Sequence, residues 1–162
     1  MFQHSGLLEV QVVGDREIHM RREFKAPRAL VFEAMTKPEL IRRWLFGPPG
    51  WEMTVCEVDL RAGGKFRYAW RHEKGHGMAM GGTFVEVVPP ERIVQTEKFD
   101  EAWYPGEMTE TMELHEEAGR TVVTIRLVYE LPEGREAALK TPMADGMSMG
   151  YDRLAAVLEE MV

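Results

Sequence analysis

The chain has 162 residues, 44% of them hydrophobic and 29% charged, with a formal charge of −7. That is enough apolar material for one globular core, since a chain of this length buries roughly 70% of its extended surface. Its apolar runs are far shorter than the ~20 residues of a membrane-spanning helix, and the opening MFQHSGLLEV lacks the layout of a signal peptide, so neither a membrane span nor export is expected.

The single cysteine, Cys56, leaves no intrachain disulfide and no multi-cysteine zinc cage, which suits a cytoplasmic protein held together by packing. Residues 97–118 contain eight acids against one base, a net −7 that accounts for the whole imbalance. A phosphate backbone is met by a basic surface, so nucleic acid is not expected as a partner. The acidic stretch reads as a solvated strand face and loop. With no repeat, low-complexity tract or linker, residues 1–162 are expected to form one domain, with 1–14 either poorly ordered or an extra N-terminal strand.

In chain order, Glu17–Lys25 alternates, with Ile18, Met20, Arg22 and Phe24 on one side, and reads as a strand. Pro27 opens a helix in which Leu30, Val31, Ala34 and Met35 fall at helical spacing. Thr36 and Glu39 flank Pro38 as a capping box would, and Leu40, Ile41, Trp44 and Leu45 form the next apolar stripe, ended by residues 47–50. The period then changes to two. Strands are expected over 54–60, 65–71, 78–88, 93–99, 107–114 and 121–130, with RAGG at 61–64 and VPPER at 88–92 as turns. In the second of these Phe66, Tyr68 and Trp70 share a face; in the last, Val123, Ile125, Leu127 and Tyr129 do. The short connections predict an antiparallel meander.

After Pro132 the residues Leu139, Met143, Met147, Gly150, Leu154 and Leu158 mark one buried helical face, with a kink or restart at Pro142 and Thr141 available as a cap. A sheet with one apolar face needs a cover, and this helix is the element long enough to supply it. The fold class is therefore α+β.

Four stretches, APRALVFEAMTKPELIRRW, GPPGWEMTVCEVDLRAGGKFRY, GGTFVEVVPPERIVQTEKF and GMSMGYDRLAAVLEEM, resemble bacterial single-domain proteins named after the Aha-type activator of the ninety-kilodalton heat-shock ATPase. The similarity runs from about Arg16 to about Glu160. That family lies in the START-like, or SRPBCC, superfamily, and the resemblance implies a helix-grip fold: a curved antiparallel sheet, two short helices after the first strand, and a long C-terminal helix over the concave face around an apolar cavity. Its recurring positions fall here on Trp44, Gly47, Pro48, Gly50, Asp59, Gly63, Gly64, Phe66, Gly82, Pro90 and Arg92. Turns and packing account for these residue types without catalysis.

Residues 72–76 spell HEKGH, the H-E-x-x-H pattern of zinc peptidases. That chemistry needs His72 and His76 on one helical face with Glu73 aimed at a metal-bound water. Here the pattern contains Gly75, precedes Gly77 and lies between two alternating segments, so it reads as a hairpin connection, and no metal is expected. Cys56 reads as a buried, unreactive thiol. Neither glycine pair, at 63–64 or 81–82, opens a phosphate-binding helix, and no cofactor is expected.

What remains is the wall of the implied cavity: Trp44, Phe66, Tyr68, Trp70, Met112, Ile125, Met143 and Met147. Twelve methionines in the chain supply an adaptable lining. Glu57, Glu97, Glu110 and His115 are ionisable groups within reach of such a space, with Glu57 and Glu97 taken as its polar groups. The leading expectation is a protein that binds a small hydrophobic molecule, as a homodimer by the general habit of small proteins, with no catalytic constellation readable. Two alternatives follow from the resemblance. One is a cyclase or isomerase on an aromatic or polyketide-like substrate, using Glu57 or Glu97 as base; the other is a co-chaperone-like interaction module.

Overall fold

The structure is a computed structural model that describes residues 2–5 and 7–162, with side chains from Leu7 onward. The strands are β1 (Phe2–Ser5), β2 (Leu8–Val13), β3 (Glu17–Phe24), β4 (Trp51–Val58), β5 (Lys65–His72), β6 (Gly77–Val88), β7 (Arg92–Phe99), β8 (Met108–Glu117) and β9 (Arg120–Tyr129). The helices are α1 (Arg28–Thr36) and α2 (Pro38–Ile41), between β3 and β4, then α3 (Pro132–Leu139) and α4 (Met143–Met161).

Among the described residues these strands form a nine-stranded antiparallel sheet in the order β1-β2-β3-β9-β8-β7-β6-β5-β4. The expected meander holds from β4 to β9. β3 is not part of it, because it pairs with β9, Ile18 opposite Leu127 and Met20 opposite Ile125. The α1–α2 segment carries the chain from β3 to β4 at the far edge. Residues 1–14 contain β1 and β2, which extend the sheet past β3; Met1 and Gly6 lie outside the described residues.

Alternation decides the faces. Ile18, Met20, Arg22 and Phe24 on β3 are buried, as are Val123, Ile125, Leu127 and Tyr129 on β9. α4 lies against this side through Tyr151, Leu154 and Leu158. The Tyr151 ring stands 6.0 Å from Phe24 and 5.9 Å from Trp44, and Arg22 donates to Asp152 at 2.8 Å. The buried Arg135 of α3 donates to the carbonyls of Val13 and Glu17 at 3.3 and 3.1 Å, holding α3 against the β2–β3 turn.

Three local expectations are corrected. Thr36 is the last residue of α1 and donates to the Phe32 carbonyl at 2.7 Å, so it does not cap α2. The residue before a proline is pushed out of helical geometry, and that residue, Lys37, takes φ −84° and ψ 123°. The C-terminal helix restarts at Pro142, as expected, and so forms α3 and α4. Leu139 therefore ends α3 with 38% exposure instead of joining the buried face. Thr141 donates to the Ala138 carbonyl at 2.7 Å and closes α3, where the sequence suggested a cap for α4.

Gly82 marks a close crossing in the sheet. A Cβ there would stand 1.7 Å from the Thr96 carbonyl oxygen on β7, which no relaxation of a flexible side chain can relieve. Gly146 on α4 has nothing within 4 Å. Gly82→Ala is expected to destabilise the fold by about 3 kcal/mol or more, whereas Gly146→Ala should stabilise it by roughly 0.5–1 kcal/mol through helix propensity. Denaturant unfolding of both variants checks the pair of signs.

Candidate functional site

The N-terminal half of α4 lies over the sheet without filling the space beneath it. A cavity of about 500 Å³ remains, within the usual range of small-molecule sites. Its floor follows strand parity: Ile93, Gln95, Glu97 and Phe99 from β7, Met108, Glu110 and Met112 from β8, and Leu127 and Tyr129 from β9. β5 adds Tyr68 and Trp70, and β6 adds Met78, Met80 and Phe84. The cover is Met143, Gly146, Met147, Gly150 and Tyr151 of α4, with Met35, Trp44 and Trp51 closing one side. Met78 and Trp103 line the space yet are 44% and 40% exposed, which marks its mouth.

In this apolar chamber stand two carboxyls, Glu97 and Glu110, which hydrogen-bond to each other. Gln95, across the ladder from Glu110, donates to the Glu97 carboxylate at 3.2 Å. Both carboxyls line the cavity, and burial there opposes their ionisation. Glu97 is pushed up to about 7, chiefly by burial and against the hydrogen bonds from Gln95 and Glu110. Glu110 is held well above the ordinary carboxylate range by burial and then by the charge on Glu97, so it keeps the proton and donates it. The hydroxyls of Tyr68, Tyr104, Tyr129 and Tyr151 are all raised, first by burial and then by neighbouring negative charge that includes Glu97 in every case. Tyr104 reaches about 12.

Of the residues singled out from sequence, Trp44, Tyr68, Trp70, Met112, Met143, Met147, Glu97 and Glu110 line this cavity. Phe66 does not. It pairs with Gly82, and its ring occupies the space beside that glycine, packed on Phe84 at 5.4 Å. Ile125 is also core, because the cavity covers only the Leu127–Tyr129 end of β9. Glu57 is on the outer face: a bulge between Met53 and Val55 reverses the parity of β4, so that Cys56 and not Glu57 turns inward. His115 is exposed. Cys56 is buried, and burial pushes its thiol up, away from a reactive state. Gln95, Trp51, Tyr104, Tyr129 and Tyr151 were not singled out. Parity pointed to Tyr129, four along from Ile125, and helical spacing to Tyr151, four beyond Met147.

HEKGH forms the β5–β6 connection, not a helix. The His72 amide donates to the His76 carbonyl at 2.8 Å, and the two rings stack 4.5 Å apart, each edge-on to Trp51 at 5.2 Å. The histidines thus support a cavity wall residue from outside. Among the described residues no group of three or more His, Cys, Asp or Glu side chains is arranged to hold a metal.

The carboxyl pair sets a pH dependence of stability. A glutamate that ionises near 4.5 when unfolded and near 7 when folded leaves the native state holding more protons between those values. Its contribution is therefore fully present below pH 4.5 and is lost as pH rises through 7. Stability should fall by on the order of 3 kcal/mol from this source between pH 4.5 and 8. Denaturant midpoints measured over that interval should decline in the wild type and flatten in a Glu97→Gln/Glu110→Gln double variant.

Residues 25–159 match the family described as Activator of Hsp90 ATPase homolog 1-like protein. Solved structures are similar over almost the whole chain. A protein from Rhodobacter sphaeroides is 29% identical, with 94% of this chain and 99% of that one covered and a TM-score of 0.88. One from Nitrosomonas europaea is 27% identical, covering 93% and 98%, with a TM-score of 0.80. One from Chromobacterium violaceum is 28% identical, covering 90% and 99%, with a TM-score of 0.70. No functionally curated protein matches the sequence. Because the match takes in most of the chain, and the sheet, helices and cover agree with it, the chain belongs to the Activator of Hsp90 ATPase homolog 1-like family and has its START-like helix-grip fold.

Proposed function

We propose that this protein binds a small, largely hydrophobic molecule in the cavity between α4 and the sheet, in the cytoplasm. The observation that carries this reading is a ligand-sized space lined by methionine and aromatic side chains where a core would otherwise close. Interiors are normally packed to crystal-like density, so a void of this size is costly unless something occupies it. No helix among the described residues is long and apolar enough to cross a membrane.

One observation favours a second reading, an enzyme of the cyclase or isomerase type on an aromatic or polyketide-like substrate. Glu97 sits inside the cavity with its ionisation brought to about 7, near the value that suits a general base at neutral pH. In that reading Glu97 takes a proton from the substrate, and Glu110 holds the carboxylate through its own hydrogen bond.

Titration with the neutral apolar dye N-phenyl-1-naphthylamine is the test. A saturable one-to-one fluorescence increase is expected, weakened about tenfold or more in Met147→Trp, where the larger ring fills the chamber from α4. The variant's thermal midpoint should stay close to that of the wild type. Non-saturable dye uptake, or binding indifferent to Met147→Trp, would count against the cavity as the site. On the second reading, Glu97→Gln should keep dye binding and lose proton exchange in a bound carbonyl substrate.

A further inference from the structure

The carboxyl pair leaves an electrostatic demand that the protein does not meet from its own side chains. Among the described residues the titratable groups lining the cavity are Glu97, Glu110, Tyr68, Tyr104, Tyr129, Tyr151 and Arg153. Arg153, the one cation among them, is directed elsewhere: it donates to the Gly47 carbonyl at 2.6 Å, and its guanidinium lies 3.9 Å over the Phe46 ring. Arg22, the cation whose charge reaches Tyr151, is bound to Asp152 at 2.8 Å. Among the described residues neither Glu97 nor Glu110 has a cationic partner.

A second observation is independent of the acids. Tyr104 and Tyr151 line the cavity at 5% and 6% exposure, and Tyr68 and Tyr129 line it with them. Four tyrosines thus border the space in which the two carboxyls stand, and a desolvated ring attracts a cation. Aromatic faces surround the same space.

We propose that the molecule bound here is a small apolar amine, its protonated nitrogen set against the Glu97–Glu110 pair among the tyrosine rings and its hydrocarbon body in the methionine-lined space. This rests on the reading of the cavity as a ligand site and adds the chemical class of the ligand. A buried carboxylate without a counter-charge is costly, and an ammonium supplies that charge while gaining cation–π attraction from desolvated rings. An alcohol of the same shape brings only a hydrogen bond, and a carboxylic acid brings like charge.

The experiment compares three probes of one shape, 2-naphthylmethylamine, 2-naphthalenemethanol and 2-naphthoate, by titration calorimetry near neutral pH. In the wild type the amine should bind about tenfold or more tighter than the alcohol, with the naphthoate weakest. In Glu97→Gln/Glu110→Gln the amine and alcohol should bind within about twofold of each other, the retained alcohol affinity showing that the chamber is intact. Equal binding of amine and alcohol by the wild type, tightest binding of the naphthoate, or an amine preference that survives the double substitution would overturn the amine assignment and leave the ligand-binding reading standing. If neither these probes nor N-phenyl-1-naphthylamine binds, the ligand-binding reading fails and the assignment with it.

Discussion

Tyr151 is where α4, the sheet and the corner after α2 meet. Its ring lies edge-on to Phe24 and tilted against Trp44, and the next residue, Asp152, accepts from the buried Arg22. Trp44 is fixed in turn by donating its indole N–H to the Ala34 carbonyl at 2.9 Å. Aromatic contacts of this kind add about 0.5–1.5 kcal/mol each beyond their buried area. They hold α4 from Tyr151 onward, where Leu154 and Leu158 complete the core. Toward its N-terminus the helix presents Met143, Gly146, Met147 and Gly150 to open space. The cavity is a consequence of that uneven seating: anchored at one end, the cover stands off at the other.

Within this frame the paired carboxyls stand out energetically. A core needs neither, and two glutamates in an apolar chamber cost more than any well-packed hydrophobic pair. The protein limits the cost by letting Glu110 keep its proton and by aiming Gln95 at Glu97, which leaves at most a single charge on the pair. Where a fold tolerates such an expense away from its surface, the group is usually there for chemistry or recognition. The acidic stretch gains a different meaning by the same token. Of its eight acids, Glu97 and Glu110 face inward, while Asp100 pairs with Arg67 and Glu113 with Arg92.

Much of this was legible in the residues. Period-two alternation located six strands of the meander, β4 to β9, and the inward faces of β3 and β9, and helical spacing located most of the buried face of α4. The failures have separate causes. Placing Glu57 in the cavity reads no facing for it; over 54–60 the apolar parity is that of Cys56, Val58 and Leu60, which leaves Glu57 on the outer face. Phe66 and Ile125 were placed on the correct face but not at the correct height: parity says which way a side chain points, and not where along the strand a cavity begins. Thr36 carried the letters of a cap, yet the proline two residues later forced the break to Lys37. Glu110 and Glu97 lie on adjacent strands, Glu97 two register positions from the Gln95–Glu110 pair, which no single-strand reading can reveal. HEKGH shows the converse case, in which the strands on either side outweighed a motif whose chemistry depends on a helix.

The site depends on two carboxyl groups that behave unlike a solvent-facing glutamate. Carbon-13 NMR of the side-chain carboxyls, assigned through Glu97→Gln and Glu110→Gln and followed across pH, tests that directly. The expected result is one resonance titrating near 7 and a second remaining in the protonated position well above the ordinary carboxylate range. Titration of both carboxyls together near 4.5 would mean that they reach bulk water, and would contradict the enclosed, apolar site on which the proposed function stands.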